Sequence, residues 1–257
     1  MTAFPVIISY SNYGYLAFAK NMLLNLNKLL KFHKVYFYCL DEKIYHALKN
    51  LSLENLDITF SLVRDANLSS QLENYGSANY NKITHTKIDI LRDALKKFNF
   101  IHFIDCDVVC IHEPNENHYA KYSPYDIIFQ HDAGFYSATK FHAPTLNHIW
   151  ACTGNTSLRN TKGTHYILDK IEEYQKLYPN KNDQECLYQY FQDKNISNLS
   201  DFKHAKLYTY PVQKYTNGYW FDHNIGDLKS TYFFHANHVV GLQNKINLLK
   251  KAYQWYL

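Results

Sequence analysis

Apolar residues recur at two different spacings along this chain, and the spacings alternate. Residues 5–10 (PVIISY), 34–40 (KVYFYCL) and 57–63 (DITFSLV) are short runs rich in β-branched and aromatic side chains, the pattern of buried strands. Between them, residues 15–30 (YLAFAKNMLLNLNKLL) and 42–51 (EKIYHALKNL) carry apolar side chains three and four apart, the spacing of one helix face. A longer helical pattern over 83–98 (ITHTKIDILRDALKKF) leads into a further strand at 100–109 (FIHFIDCDVV). Strands alternating with helices predict βαβ units, hence an α/β fold with a mixed, mainly parallel sheet flanked by helices. In such sheets ligands bind beyond the carboxyl ends of the strands, where residues 9–13, Asp41 and the pair Asp105 and Asp107 all fall.

The second half is less regular. Strands are expected at 125–132 (YDIIFQHD) and 148–160 (HIWACTGNTSLRN), helices at 164–178 and 183–194, and an extended run at 206–212. The chain then closes on an extended stretch at 232–241 (YFFHANHVVG) and a terminal helix at 245–257 (KINLLKKAYQWYL). With no internal repeat and no Pro/Gly/Ser linker, one domain over 1–257 is expected.

Composition narrows the class. Of 257 residues, 46% are hydrophobic, enough for a core and too many for a disordered chain. The 24 Tyr and 16 Phe, alongside abundant Asn, Lys and Ile, follow the drift of an AT-rich genome and carry little functional weight. A formal charge of +4 spread along the chain favours anionic ligands mildly and argues against nucleic-acid binding. Five cysteines, an odd number without a CxxC pair, argue against a disulfide framework and a structural zinc site, and read as reduced thiols. No run approaches the roughly 20 apolar residues of a membrane span, and the N-terminus lacks a basic leader, so a soluble cytoplasmic protein is expected.

Asp105 and Asp107 end the most hydrophobic strand. Ionised carboxylates there repel each other and lose hydration, so they persist where a positive charge compensates them. Such oxygen ligands suit hard cations, Mg²⁺ or Mn²⁺, which bridge phosphates; the plainer alternative has Asp105 capping the next element and Asp107 solvated. Far downstream, FFHANHVVGLQNK supplies His235 for a metal, Asn237, Gly241 for close backbone approach and Lys245 for phosphate charge. Lys87 precedes the acidic strand and Asp132 ends another on the same rim; solvation and a turn are their structural alternatives. Asn182 to Glu185 has the spacing of a helix capping box.

Together these residues resemble the GT-A fold glycosyltransferases, specifically the nucleotide-diphospho-sugar transferase family related to glycogenin and the LgtC-like galactosyltransferases. The blocks that carry the likeness are YSNYGY, HTKIDILRDAL, FIDCDVV, NDQECL and the ending HANHVVGLQNKINLLKKAYQWYL, in the family's order. Retaining sugar transferases of large DNA viruses are similar, and would place the protein in a host cytoplasm.

The resemblance implies a nucleotide-binding half over about 1–112 and an acceptor-side half over about 113–257. It implies that Asp105 and Asp107 form a DxD motif holding a divalent metal, Mn²⁺ before Mg²⁺, with His235 as third ligand. Asp105 would also reach ribose or sugar hydroxyls, with Cys106 contributing backbone between the two acids. Gly241 and Lys245 would bind the diphosphate of a UDP-sugar donor. Ser9, Tyr10, Asn12 and Tyr13 would hold the nucleoside, Asp41 the base, and Lys87 a phosphate or the sugar. Asp132 and Asp183 would contact the transferred sugar or the acceptor, a glycan or glycoprotein hydroxyl, with Gln184 near the anomeric carbon. Two positions depart from the pattern: Cys152 stands where relatives carry Asn, and Glu185 where some carry Asp. The competing readings are a nucleotidyltransferase that makes nucleotide sugars, for which a Gly-rich loop after the first strand is missing, and a non-catalytic carbohydrate-binding protein using aromatic stacking.

Overall fold

The computed structural model describes residues 4–63, 68–132 and 151–257. Four parallel strands, β1 (Val6–Ser11), β2 (Val35–Cys39), β3 (Ile58–Leu62) and β4 (Phe100–Ile104), come from the alternating first half. They alternate with α1 (Leu16–Leu29), α2 (Glu42–Lys49) and α3 (Ala78–Lys97). The side-chain period of two sends neighbours to opposite faces. Ile8, Tyr38 and Phe103 pack with α3 and the later helices, while Ile7, Phe37 and Ile104 pack with α1 and α2. Burial on both faces explains why β1, β2 and β4 read as nearly continuous apolar runs, whereas β3, at the sheet edge, alternates and has no fully buried residue.

Two further strands, β6 (Ile127–His131) and β7 (Ala151–Arg159), extend the sheet, with β8 (Leu207–Thr209) at its edge. The seven-stranded order is β3-β2-β1-β4-β7-β6-β8, parallel except that β7 runs against both its neighbours. A second, three-stranded sheet joins β5 (Val108–Cys110), β10 (Phe233–His235) and β9 (Tyr215–Asn217). The remaining helices are α4 (Glu116–Ala120), α5 (Lys162–Leu177), α6 (Asp183–Asp193), α7 (Gly218–Asp222) and α8 (Leu242–Lys251).

Several boundaries differ from the sequence reading. Helix α3 begins at Ala78 rather than 83 because the Ser77 hydroxyl caps it, accepting from the Tyr80 N–H. The extended stretch at 232–241 contributes only a three-residue strand, since its partners β5 and β9 are equally short. The last helix starts three residues early and stops at Lys251. Beyond it the Tyr253 backbone turns left-handed (φ 56°), and the Gln254 carbonyl and Tyr256 N–H bond to Asn21 on α1. Residues 148–150 of the expected strand lie outside the described residues, as do 64–67 and 133–147. Among the described residues no helix is long and apolar enough to cross a membrane.

Candidate metal centre

The Asp105-Cys106-Asp107 turn is where the chain leaves the large sheet for the small one. The Asp105 N–H donates to the Gly154 carbonyl on β7 at 2.7 Å, and the Asp107 carbonyl accepts from Ala236 N–H after β10 at 3.0 Å. Backbone bonds therefore fix both carboxylates before any side-chain contact is counted. His235, the last residue of β10, sits opposite Val108 in the antiparallel ladder and so faces the turn. Ligand atoms of Asp105, Asp107 and His235 all lie within 4.8 Å of one another.

Charge is unequally shared in this cluster. His235 Nε2 is 3.2 Å from Asp107 Oδ1, and Lys245 from α8 forms an ion pair with Asp107 Oδ2. Burial alone would raise the Asp107 carboxyl, but Lys245 and His235 hold it well below the usual carboxylate range. Burial likewise opposes charge on His235, and the adjacent Asp107 more than reverses it, lifting the imidazole to about 10. Asp105 is different: burial raises its carboxyl, against the pull of Lys87 at 3.5 Å. Lys87 is itself buried and closer to Asp183, at 2.9 Å.

Donor chemistry fits a cation here. Two carboxylates and an imidazole converge, and the imidazole is oriented by its other nitrogen: Nδ1 faces the Gln130 side-chain oxygen at 2.9 Å and Cys152 Sγ at 3.6 Å. An Nδ1–H donated to Gln130 fixes the ring with Nε2 toward the carboxylates, where a bound cation would take the place of the Nε2 proton, the usual support for a ligating histidine. A β-carbon at Gly154 would lie 2.4 Å from Asp105 Oδ2 and 2.6 Å from His235 Cε1, so the site abuts a position only glycine fits. Such an oxygen-rich set with one nitrogen suits Mn²⁺ or Mg²⁺.

Beside the cluster lies a polar rim. Gln184, in the first turn of α6, donates to Asp132 Oδ2 at 2.9 Å while its Oε1 accepts from Thr153 N–H at 3.2 Å. Asn237 donates to Asp132 Oδ1 at 2.9 Å and accepts from Gly218 N–H. The capping box at the start of α6 is formed in both directions between Asn182 and Glu185. In the first turn of α6, Asp183 meets Lys87 on α3 and Gln184 meets Thr153 on β7.

The comparisons with known proteins decide the family. A model of the nucleotide-diphospho-sugar transferases matches residues 31–249. The chain belongs to that family. No curated protein gives a significant match. Among solved structures, glycosyltransferase GlyE of Streptococcus pneumoniae TIGR4 aligns over 97% of this chain at 12% identity, TM-score 0.57. This chain spans only 63% of GlyE. A glycosyltransferase involved in glycosylation of the major capsid of PBCV-1 aligns over 95% of this chain and 98% of its own, at 12% identity and TM-score 0.53. The galactosyltransferase LgtC, solved with donor and acceptor sugar analogs, aligns over 89% and 86% at 12% identity and TM-score 0.52. These likenesses establish the GT-A fold.

Within this nucleotide-diphospho-sugar transferase the sequence-predicted residues fall into groups. Asp105, Asp107, His235 and Lys245 come together, and Lys87 with Asp183, and Gln184 with Asp132, adjoin them. Gly241 caps α8 in a left-handed conformation (φ 91°) one turn before Lys245. Ser9, Tyr10, Asn12 and Tyr13 line the end of β1, but several already have local partners. Asn12 Nδ2 donates to the Ser69 and Gln71 carbonyls, and the Tyr10 hydroxyl to the Ile83 carbonyl. Asp41 N-caps α2 and accepts from Tyr13 N–H. Cys106 Sγ bonds the Tyr10 carbonyl and lies 3.7 Å from Ser9 Oγ, tying the turn to β1. Sequence reasoning missed Gln130 and the steric role of Gly154: a glutamine within a strand carries no spacing signal.

Proposed function

We propose that this protein is a metal-dependent glycosyltransferase that moves a sugar from a nucleotide-diphosphate sugar, a UDP-sugar, to a hydroxyl of a glycan or glycoprotein, with retention at the anomeric carbon. The observation that carries the proposal is the convergence of Asp105, Asp107 and His235 with Lys245 beside them. Those three would hold the metal, Mn²⁺ or Mg²⁺, which when bound supplies positive charge to the diphosphate leaving group.

The protein's own groups do the rest. Lys245, paired with Asp107, would share its charge with a β-phosphate, and Gly241 would let the α8 N-terminus approach phosphate oxygens. Breaking the bond from the anomeric carbon to the phosphate oxygen leaves an oxocarbenium-like sugar. Gln184 Oε1, held by the Thr153 N–H, and the Asp132 carboxylate, held by the Gln184 and Asn237 amides, would offer it electron-rich oxygens. Asp183 is a poor nucleophile because Lys87 holds its charge at 2.9 Å in a buried site, and a glutamine amide is poorer still. A front-face displacement follows: the acceptor oxygen bonds to the anomeric carbon as the phosphate oxygen departs and takes the acceptor proton.

Incubation with a panel of nucleotide sugars and divalent cations tests this. Metal-dependent release of nucleoside diphosphate, with the product anomer read by NMR, is the expected result. A glycosyl adduct on Asp183 or Glu185 seen by mass spectrometry would replace the front-face step with a double displacement.

A further inference from the structure

We propose that Asp222, His223 and His238 form a second divalent-metal site, selective for imidazole-preferring ions of the Zn²⁺ class, that clamps the segment after β10 onto α7. One ligand atom from each lies within 4.8 Å of the others. Asp222 and His223 close α7, while His238 lies three residues past the His235 of the first centre, on a different segment. The proposal does not depend on the sugar-transfer reading.

Asp222 and His223 are each oriented by a hydrogen bond to a group outside the cluster that leaves a second donor atom for a metal. Lys251 from α8 holds Asp222 Oδ1 at 2.9 Å and its backbone carbonyl at 3.2 Å. That leaves Oδ2 facing His238 Nε2 at 3.4 Å, about the edge of a tetrahedron of metal ligands. His223 Nδ1 lies 3.0 Å from the Tyr219 carbonyl oxygen, so Nδ1–H donates there and the Nε2 lone pair is open. The Tyr219 ring is a platform for both imidazoles: it stacks on His223 at 4.0 Å and meets His238 edge-on at 5.6 Å. His238 reaches this position in a left-handed backbone conformation (φ 64°), unfavourable for a residue with a side chain. A metal bond from its imidazole offsets that strain.

The donor sets separate the two centres. Two carboxylates and one imidazole suit Mn²⁺ or Mg²⁺, whereas two imidazoles and one carboxylate suit Zn²⁺, with a fourth position left to water. Occupancy would pin residues 236–238, including Asn237, whose amide holds Asp132.

Calorimetric titration of the whole chain with Zn²⁺ tests the site. His223→Gln and His238→Ala should each bind one Zn²⁺ equivalent fewer than the wild type, and Asp107→Asn should retain that equivalent. Cu²⁺ loaded into Asp107→Asn should show two-nitrogen hyperfine coupling by electron paramagnetic resonance, lost in Asp107→Asn/His238→Ala. Unchanged Zn²⁺ stoichiometry in both histidine variants, with wild-type circular dichroism, would overturn the proposal.

Discussion

Gly154 on β7 faces Asp105 so closely that a β-carbon there would stand 2.4 Å from Oδ2 of the carboxylate. Neither a buried strand nor a backbone-anchored turn can retreat by the ångström this would require. Gly154→Ala should therefore displace the Asp105 carboxylate and the His235 ring while the protein still folds. Misplacement on this scale costs about 10²-fold in turnover. Steady-state kcat/KM with the donor identified by the nucleotide-sugar panel checks it, and near-wild-type turnover would contradict it.

Lys87 joins two carboxylates in a buried place, Asp183 at 2.9 Å and Asp105 at 3.5 Å. Burial opposes its charge, but the two acids together hold its pKa above the ordinary lysine value. Lys87→Met leaves Asp183 buried without its counter-charge, a loss of about 3–5 kcal/mol for a broken buried pair. Urea denaturation should show that loss, and Asp183→Asn added to Lys87→Met should recover about half of it. Additive destabilisation by the two substitutions would mean that the pair is not coupled.

Two buried histidines predict sensitivity to mild acid. Burial lowers His102 to about 3, and burial with nearby Lys121 and Lys214 lowers His118 to about 4. Both values lie below the ordinary histidine value, so the unfolded chain takes up protons first as pH falls. The stability is complete above about pH 6.5 and drains away as pH drops toward 4 and 3, about 2 kcal/mol per histidine by pH 5. Denaturation at pH 7 and pH 5 measures the slope. His118→Gln, which can keep a bond to the Tyr215 hydroxyl now 2.9 Å from Nε2, should remove about half of it.

The first half of the fold was legible because β1, β2 and β4 are buried on both faces, the edge strand β3 packs with one alternating set of apolar residues, and each helix is buried on one face, so periodicity and burial coincide. Where they separate, legibility fails. Strands β5, β9 and β10 have three residues each and pair across long sequence separations, leaving no periodic trace. The terminal helix was set too far along because Tyr253 to Tyr256 look helical in pattern, yet their polar groups are claimed by α1. At the candidate site the acidic pair stood out as charge where apolar residues belong. His235 and Lys245 needed the spacing of the whole C-terminal block. Gln130 and Gly154 stayed hidden, since one acts through the far nitrogen of a histidine and the other by having no side chain.

On the proposed function, Asp105, Asp107 and His235 bind a nucleoside diphosphate through a divalent metal. Thermal unfolding with UDP, with and without Mn²⁺, tests it most directly. UDP at about 100-fold its dissociation constant stabilises by about 2.7 kcal/mol, so Tm should rise by about 5–10 °C for a chain of this size. That rise should require Mn²⁺ and vanish in Asp107→Asn. A UDP-induced rise that persists without Mn²⁺, or survives in Asp107→Asn, would rule out metal-bridged binding at this site.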